Sequence, residues 1–340
     1  MLSFEFKDGR NESPVAVDQS GLLKVLSGGE RRALYLLNVL FEVEARRRSG
    51  KFTLFVVDDI ADSFDYRNKY AILQYLKDMA DTDSFRIIAL THNFDFFRAF
   101  SLRLRSQLAN RFIAERNQSN VEIREAEHTE SPFSDWRKTL HTECSVSELI
   151  ATIPFVRTLL EYTGNDNDFD SLTETLHLKE HSKILDWSVV LNIYKKELKN
   201  ITTFACVDLS SLIIDTIYTT AIKLESENKT TYSLSEKIVL AIATRLMLEE
   251  AIQKRLNALD DKTKKKNNVK LYYKLNQTSR LCNAYIHNFP ADKVFKSAID
   301  TVQIITPEHL HINSFMYEPL IDLSGESLLK ILKEVKALNA

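Results

Sequence analysis

The chain has 340 residues, with 45 Lys+Arg against 47 Asp+Glu and a formal net charge of −2. That balance excludes a bulk polycation coating nucleic acid, while leaving room for a local basic patch. A composition 44% hydrophobic and 27% charged belongs to a globular chain, not a disordered one.

In chain order, the first stretch alternates between helical and strand patterns. Gly29–Arg48 is predicted helical, with Ala33, Leu36, Leu37, Leu40 and Val43 at helical spacing. Thr53–Val57 is an unbroken apolar run that predicts a strand buried on both faces. Tyr66–Met79 follows as a helix, Phe85–Leu90 as a second buried strand and Phe94–Leu104 as a helix. Arg111–Glu115 and Asn120–Arg124 predict a hairpin around Asn117–Ser119. Strand–helix–strand order with apolar strands means an α/β sheet. Beyond about Ser131 helices take over: Ser147–Tyr162, Ile184–Leu198, Leu209–Leu224, Leu234–Leu259, Asn268–Asn288 and Leu328–Leu338, with Gly164–Asp170 as a polar loop. The expected organisation is an α/β domain over residues 1–130 and an all-α domain over 131–340.

The longest apolar runs fall far short of the roughly 20 residues of a membrane span, and the first residues carry no signal peptide pattern. Cys144, Cys206 and Cys282 are widely spaced and odd in number, which argues against a disulfide framework or a zinc knuckle. The expected setting is a reducing cytoplasm with no membrane partner. Only 7 residues are Gly, which favours long helices and leaves one place for a phosphate-binding loop.

That place is Leu26-Ser27-Gly28-Gly29-Glu30, where a loop opens into a helix. Glycines let backbone approach a phosphate, and the free N–H groups at a helix start favour an anion. Thr53–Val57 delivers two carboxylates, Asp58 and Asp59, at its C-terminal end, where open α/β sheets hold ligands and Mg²⁺ finds oxygen donors. Ser63-Phe64-Asp65 follows, and the next strand ends in Thr91-His92-Asn93 on the same edge.

Over Leu26–Phe97 the chain resembles the C-terminal half of an ABC-type ATPase domain of the RecN/SMC-like kind. Leu26–Glu30 matches the signature motif, Val57–Asp59 the Walker B end, Ser63–Asp65 the D-loop and His92 the switch histidine. The resemblance implies ATP or GTP with Mg²⁺, Asp58 in the metal shell, Asp59 at the catalytic carboxylate position, and Ser27, Gly28, Gly29, Glu30 and His92 against nucleotide. No G-x-x-x-x-G-K-[ST] occurs in the sequence. The P-loop that grips the triphosphate is therefore expected from a missing segment or another chain.

In the helical part, Ser233-Leu234-Ser235-Glu236 is a capping box opening a long helix. Ile238, Ile242, Ile252 and Leu256 form one stripe, with Arg245 and Glu249 in its middle. Charge on a core-facing line costs about several kcal/mol unless paired or functional, which makes Arg245 and Glu249 candidate active-site residues. On the next helix Leu271, Leu275, Thr278, Cys282, Ile286 and Phe289 face the core, while Arg280 and His287 share the opposite face. Lys262, Lys264, Lys265, Lys266, Lys270 and Lys274, interleaved with Tyr272 and Tyr273, supply a basic and aromatic footprint for a looped single strand. His309 and His311 read as surface residues, and His128, His141, His177 and His181 stand in polar settings with no partner legible in the sequence.

Arg280-Leu-Cys-Asn-Ala-Tyr-Ile-His287 resembles the Arg–His motif of HEPN ribonucleases. An ABC-type ATPase followed by a helical nuclease is similar to bacterial anticodon nucleases of the PrrC and RloC type, which act in anti-phage defence. The resemblance implies that Arg245, Glu249, Arg280 and His287 cleave RNA, tRNA in particular, without metal. His or Glu would take the 2′-OH proton and arginine would stabilise the pentavalent phosphate, leaving a 2′,3′-cyclic phosphate. It also implies a homodimer, with Tyr273, Ala284 and the Arg280/His287 face at a symmetric interface. The contrasting expectation is a DNA-repair or chromosome-organising ATPase half whose helical domain only binds a partner.

Overall fold

The computed structural model describes residues 4–6, 15–17, 27–60, 66–104, 110–116, 120–126, 132–227, 229, 231–259, 277–305, 320–321 and 323–339. The described chain is mostly helical, with twelve helices and three two-stranded sheets. It divides into two compact units, Met1–Asn110 and Arg111–Ala340.

In the first unit β1 (Phe4–Phe6) pairs antiparallel with β2 (Val15–Val17). Then come α1 (Gly28–Ser49), β3 (Thr53–Asp58), α2 (Tyr66–Ala80), β4 (Phe85–Leu90) and α3 (Phe94–Leu104). β3 and β4 run parallel, joined by α2, in a register that sets Thr53 beside Phe85 and Asp58 beside Leu90. Val43, Leu73, Leu76, Met79, Phe85 and Phe96 form the buried core, with Phe55, Val57 and Ile87 packed against it. The unbroken apolar runs predict strands covered on both faces, but exposure alternates along each. Leu54, Val56, Ile88 and Leu90 stand 48–62% exposed, because α1, α2 and α3 supply core side chains to one side of the sheet only.

The second unit starts with the hairpin β5 (Phe112–Arg116) and β6 (Val121–Glu125). The sequence assigned this hairpin to the first domain; the compact units divide at 110/111 instead of 130. The physical reason is a buried tie. Glu115 on β5 accepts from Lys237 Nζ at 3.2 Å and from the Gly325 N–H at 3.1 Å, both within the helical unit.

Helices α4 (Pro132–Thr139), α5 (Val146–Thr163), α6 (Asp166–Leu176), α7 (Trp187–Glu197), α8 (Ile213–Glu227), α9 (Leu234–Asn257), α10 (Gln277–Asn288), α11 (Lys293–Ile305) and α12 (Gly325–Leu338) complete the unit. α9 is the centre, packed against α5, α8, α10, α11 and α12. Its apolar residues face neighbours all round, which is why charge within it falls in the core. The predicted capping box holds: Ser233 Oγ accepts from the Glu236 N–H, and Glu236 Oε2 accepts from the Ser233 N–H at 2.8 Å. The polar stretch 164–170 is not a loop; Asn165 caps α6, whose Leu172 and Leu176 are buried. No described helix is long and apolar enough to cross a membrane.

Candidate active-site residues

The parallel register of β3 and β4 brings their C-terminal ends to one edge. Asp59, just past β3, has φ +45°, a left-handed conformation that Asp tolerates better than most side chains. Its N–H donates to Leu90 O at 3.0 Å, which locks the turn to the neighbouring strand. Asp59 Oδ1 accepts the His92 N–H at 3.2 Å and lies 2.9 Å from His92 Nδ1. Two expected residues, 33 positions apart, thus meet side chain to side chain. Thr91 Oγ1 accepts the Asn93 N–H, and Asn93 Oδ1 accepts the Phe96 N–H, so the segment that carries His92 is capped into α3.

Asp58 is exposed at the end of β3. The described residues contain no group of three or more His, Cys, Asp or Glu able to hold a metal. One exposed carboxylate still fits Mg²⁺, which takes one or two protein carboxylates and fills its shell with phosphate oxygens and water. Ser27 is exposed before α1, and its carbonyl accepts the Arg31 N–H at 3.0 Å; Gly28, Gly29 and Glu30 form the first turn of α1. Ser63–Asp65, the expected D-loop, lies outside the described residues.

The helical unit holds a second constellation. Arg245 and Glu249 occupy the inside of α9, with 1% and 0% of their surfaces exposed. Glu249 Oε1 accepts from Thr278 Oγ1 at 2.6 Å and lies 2.7 Å from His177 Nδ1. Its Oε2 accepts from the Leu178 N–H at 2.9 Å and Gln277 Nε2 at 3.0 Å. His177 caps the C-terminus of α6, while Gln277 and Thr278 open α10. One carboxylate therefore ties three helices together.

Burial pushes the His177 imidazole below its ordinary value and outweighs the pull of Glu249. Burial by itself would raise the Glu249 carboxyl, but His177, Thr278 and Arg245 together hold it below the usual range. The pair is thus a neutral imidazole donating Nδ1–H to an ionised carboxylate. Sequence pattern missed His177, since its partner is 72 positions away and nothing local signals the contact.

Arg280 and His287 are exposed on the outer face of α10, as the sequence predicts, while Thr278, Leu281, Cys282, Ala284 and Tyr285 are buried. The inner face is anchored at both ends. Gln277 and Thr278 bind Glu249; Tyr285 OH donates to Asp292 Oδ2 at 2.8 Å, and Tyr285 stacks on Phe295 with ring centroids 4.1 Å apart. The four expected catalytic residues are consequently split, two in the core of α9 and two on the surface of α10. Glu249, enclosed and saturated by donors, is placed to hold α10 rather than to exchange protons with a substrate. Ala284, expected at a dimer surface, is 2% exposed within the protomer, because it packs on the inner face of α10.

Lys262, Lys264, Lys265, Lys266, Lys270 and Lys274, with Tyr272, Tyr273, His128, His309 and His311, lie outside the described residues. A cleft of about 350 Å³ opens between the N-termini of α5 and α9, lined by Ser145, Glu148, Lys223, Lys229, Ser233 and Glu236 among others; none of the expected site residues lines it. No protein-family model matches the chain, and neither does any curated protein or solved structure.

Proposed function

We propose that the protein is a nucleotide-regulated, metal-independent endoribonuclease of the anticodon-nuclease type, cutting tRNA in anti-phage defence. The observation that carries this reading is the outer face of α10. Arg280 and His287 stand exposed on it, while its inner face is clamped by Glu249 at one end and by Tyr285–Asp292 at the other.

In this reading His287 takes the proton of a ribose 2′-OH, and Arg280 stabilises charge on the phosphate under attack. Glu249 acts indirectly, by fixing the helix that carries the reacting groups, and Arg245 helps to keep the Glu249 carboxylate ionised. Two turns of helix, about 10 Å, separate the two outer residues along the axis, so both must reach toward one phosphate or each must complete a site with a second copy. The second arrangement favours a homodimer. The Asp59–His92 contact supports a nucleotide-sensing role for the first unit, with ATP or GTP and Mg²⁺ held partly by Asp58 and by a P-loop from elsewhere.

The test is incubation with total tRNA, in EDTA without nucleotide and separately with ATP or GTP plus Mg²⁺, comparing wild type with Arg280→Ala and His287→Ala. Cleavage leaving 2′,3′-cyclic phosphate ends, lost in both variants and absent on the deoxy analogue, is the expected result. Intact tRNA under every condition, or equal cleavage by wild type and His287→Ala, overturns the assignment.

The enclosure of Arg245 and Glu249 favours a second reading, an SMC-like ATPase half whose helical domain binds a partner. It predicts DNA-stimulated nucleotide hydrolysis that is indifferent to Arg280 and His287 substitution.

A further inference from the structure

We propose that Cys144 and Cys206 are a peroxide-sensitive pair that closes into a reversible intramolecular disulfide within the helical unit. The two sulfurs lie 2.9 Å apart, although 62 positions separate them in the chain. A disulfide bond is about 2.05 Å long, so closure asks for a sulfur displacement of under about 1 Å.

Their settings hold them in place. Cys144 immediately precedes Ser145, the N-cap of α5, and its thiol also reaches Leu140 O at 3.3 Å. Cys206 lies in the connection from α7 to α8, which is nailed down on both sides of it. Phe204 is buried, edge-on to Trp187 and Tyr194, and the Ser188 and Trp187 N–H groups donate to Leu209 O and Ser211 O. Neither sulfur needs a large backbone movement to meet the other.

The pair is chemically asymmetric. Cys144 is 6% exposed, whereas Cys206 is half-buried and so the more accessible of the two. Contact with Cys144 holds the Cys206 thiol below its ordinary value, while the same contact and burial push Cys144 up. Cys206 is therefore the sulfur that reacts first.

Its thiolate attacks one oxygen of hydrogen peroxide and breaks the O–O bond. Cys206 becomes a sulfenic acid, and the departing hydroxide takes the displaced thiol proton as water. Cys144 sulfur then attacks the sulfenic sulfur, the S–O bond breaks, and the second hydroxide leaves as water with the Cys144 proton. Two thiols and one peroxide give one disulfide and two waters; the sulfurs lose two electrons and the peroxide gains them. A dithiol reductant reverses the step by exchange. Disulfides are rare where glutathione keeps thiols reduced, and those found there are mostly transient or sensing. The bond would close a ring containing α5, α6 and α7, and so stiffen one side of the bundle around α9.

The test uses the whole chain, treated with a small molar excess of hydrogen peroxide, alkylated under denaturing conditions and digested with trypsin without reduction. The expected product links peptide Thr139–Arg157 to peptide Asn200–Lys223, with Cys282 alkylated, and dithiothreitol reverses it. Cys282 is 0% exposed and serves as the internal control. The Cys144→Ser variant should stop at a Cys206 sulfenic acid that dimedone traps, and oxidised wild type should melt at least about 3 °C higher than reduced. Recovery of both peptides fully alkylated, a Cys206 sulfinic acid with no link, or links that run to Cys282 or between molecules would each overturn the proposal.

Discussion

His92 Nδ1 stands 2.9 Å from Asp59 Oδ1, at the shared end of two parallel strands. The contact is open to solvent, with the side chains 70% and 43% exposed, so its value as a stabilising pair is small. Asp59→Asn and His92→Ala should each leave the melting temperature within about 1 °C of wild type. In protein supplied with a complete nucleotide site, both should lower hydrolysis at least about tenfold. Asp59→Val should instead cost about 1–2 kcal/mol in a denaturant titration, because a β-branched residue resists φ +45°.

The His177–Glu249 pair makes the helical unit sensitive to acid. The folded imidazole sits below 6.5, its ordinary value, so the unfolded chain takes up a proton below 6.5 that the folded one refuses. Glu249 sits below 4.5, so its contribution is complete above that value and is lost as pH falls through the folded one. Both effects share a sign, and stability should decline as pH falls from about 6.5. Denaturant midpoints between about pH 7.5 and 5 should show this slope, and His177→Asn should flatten its upper limb. Glu249→Ala, which leaves four donors unanswered, should cost about 3–5 kcal/mol. Glu249→Gln should cost less.

Lys237 and Glu115 are 1% and 2% exposed and 3.2 Å apart. Lys237 also donates to Leu323 O at 2.6 Å. Glu115→Gln leaves the buried Lys237 ammonium without its carboxylate, and Lys237→Met leaves Glu115 with Arg124 Nη2, at 3.8 Å, as its cation, so either alone should cost about 3–5 kcal/mol. The double variant Lys237→Met with Glu115→Gln should recover part of that loss, and chemical denaturation of all four proteins measures the coupling. A double variant that costs as much as the two single variants added together would show no coupling and would mean that the hairpin is held by its apolar contacts.

Gly325 opens α12 against the ring of Tyr232, and a Cβ there would drive into the ring. Tyr232 cannot move aside easily: it is 1% exposed, and its hydroxyl donates to Leu224 O at 3.2 Å. Gly325→Ala should therefore destabilise by about 2 kcal/mol or more. Tyr232→Ala should be costly by itself, yet should remove most of the added penalty of Gly325→Ala. A thermal melt of the double variant checks the pairing.

Much of the architecture is legible in the sequence because it is written in local signals. The strand–helix–strand run, the Ser233 capping box and the outward face of Arg280 and His287 all follow from spacing or from short motifs. The meeting of Asp59 and His92 follows from the strand order, since parallel strands bring their ends to one edge. What the sequence withheld depends on long-range packing. A histidine 72 positions from its carboxylate, and two cysteines 62 positions apart, give no periodic trace. The polar run that became α6 was obscured because Asn and Asp serve both turns and helix starts. The hairpin at 112–125 looks the same on either side of a domain boundary until its Glu115 finds Lys237.

The alternation along β3 and β4 sets Val56 beside Ile88 on the uncovered side of the sheet, with Leu54 and Leu90 flanking them. On α1, Tyr35, Leu37, Leu40 and Phe41 are exposed as well. Apolar surface of this extent attracts other apolar surface, including that of chaperones and of neighbouring copies. The first unit should therefore bind hydrophobic dyes and precipitate when produced by itself, and Val56→Lys with Ile88→Glu should make it tractable. The second unit is about twice as long, yet among the described residues its exposed large apolar side chains are only Phe112, Val121, Ile123, Tyr162, Ile184, Ile222 and Val294, so limited proteolysis that frees it should yield the better behaved half.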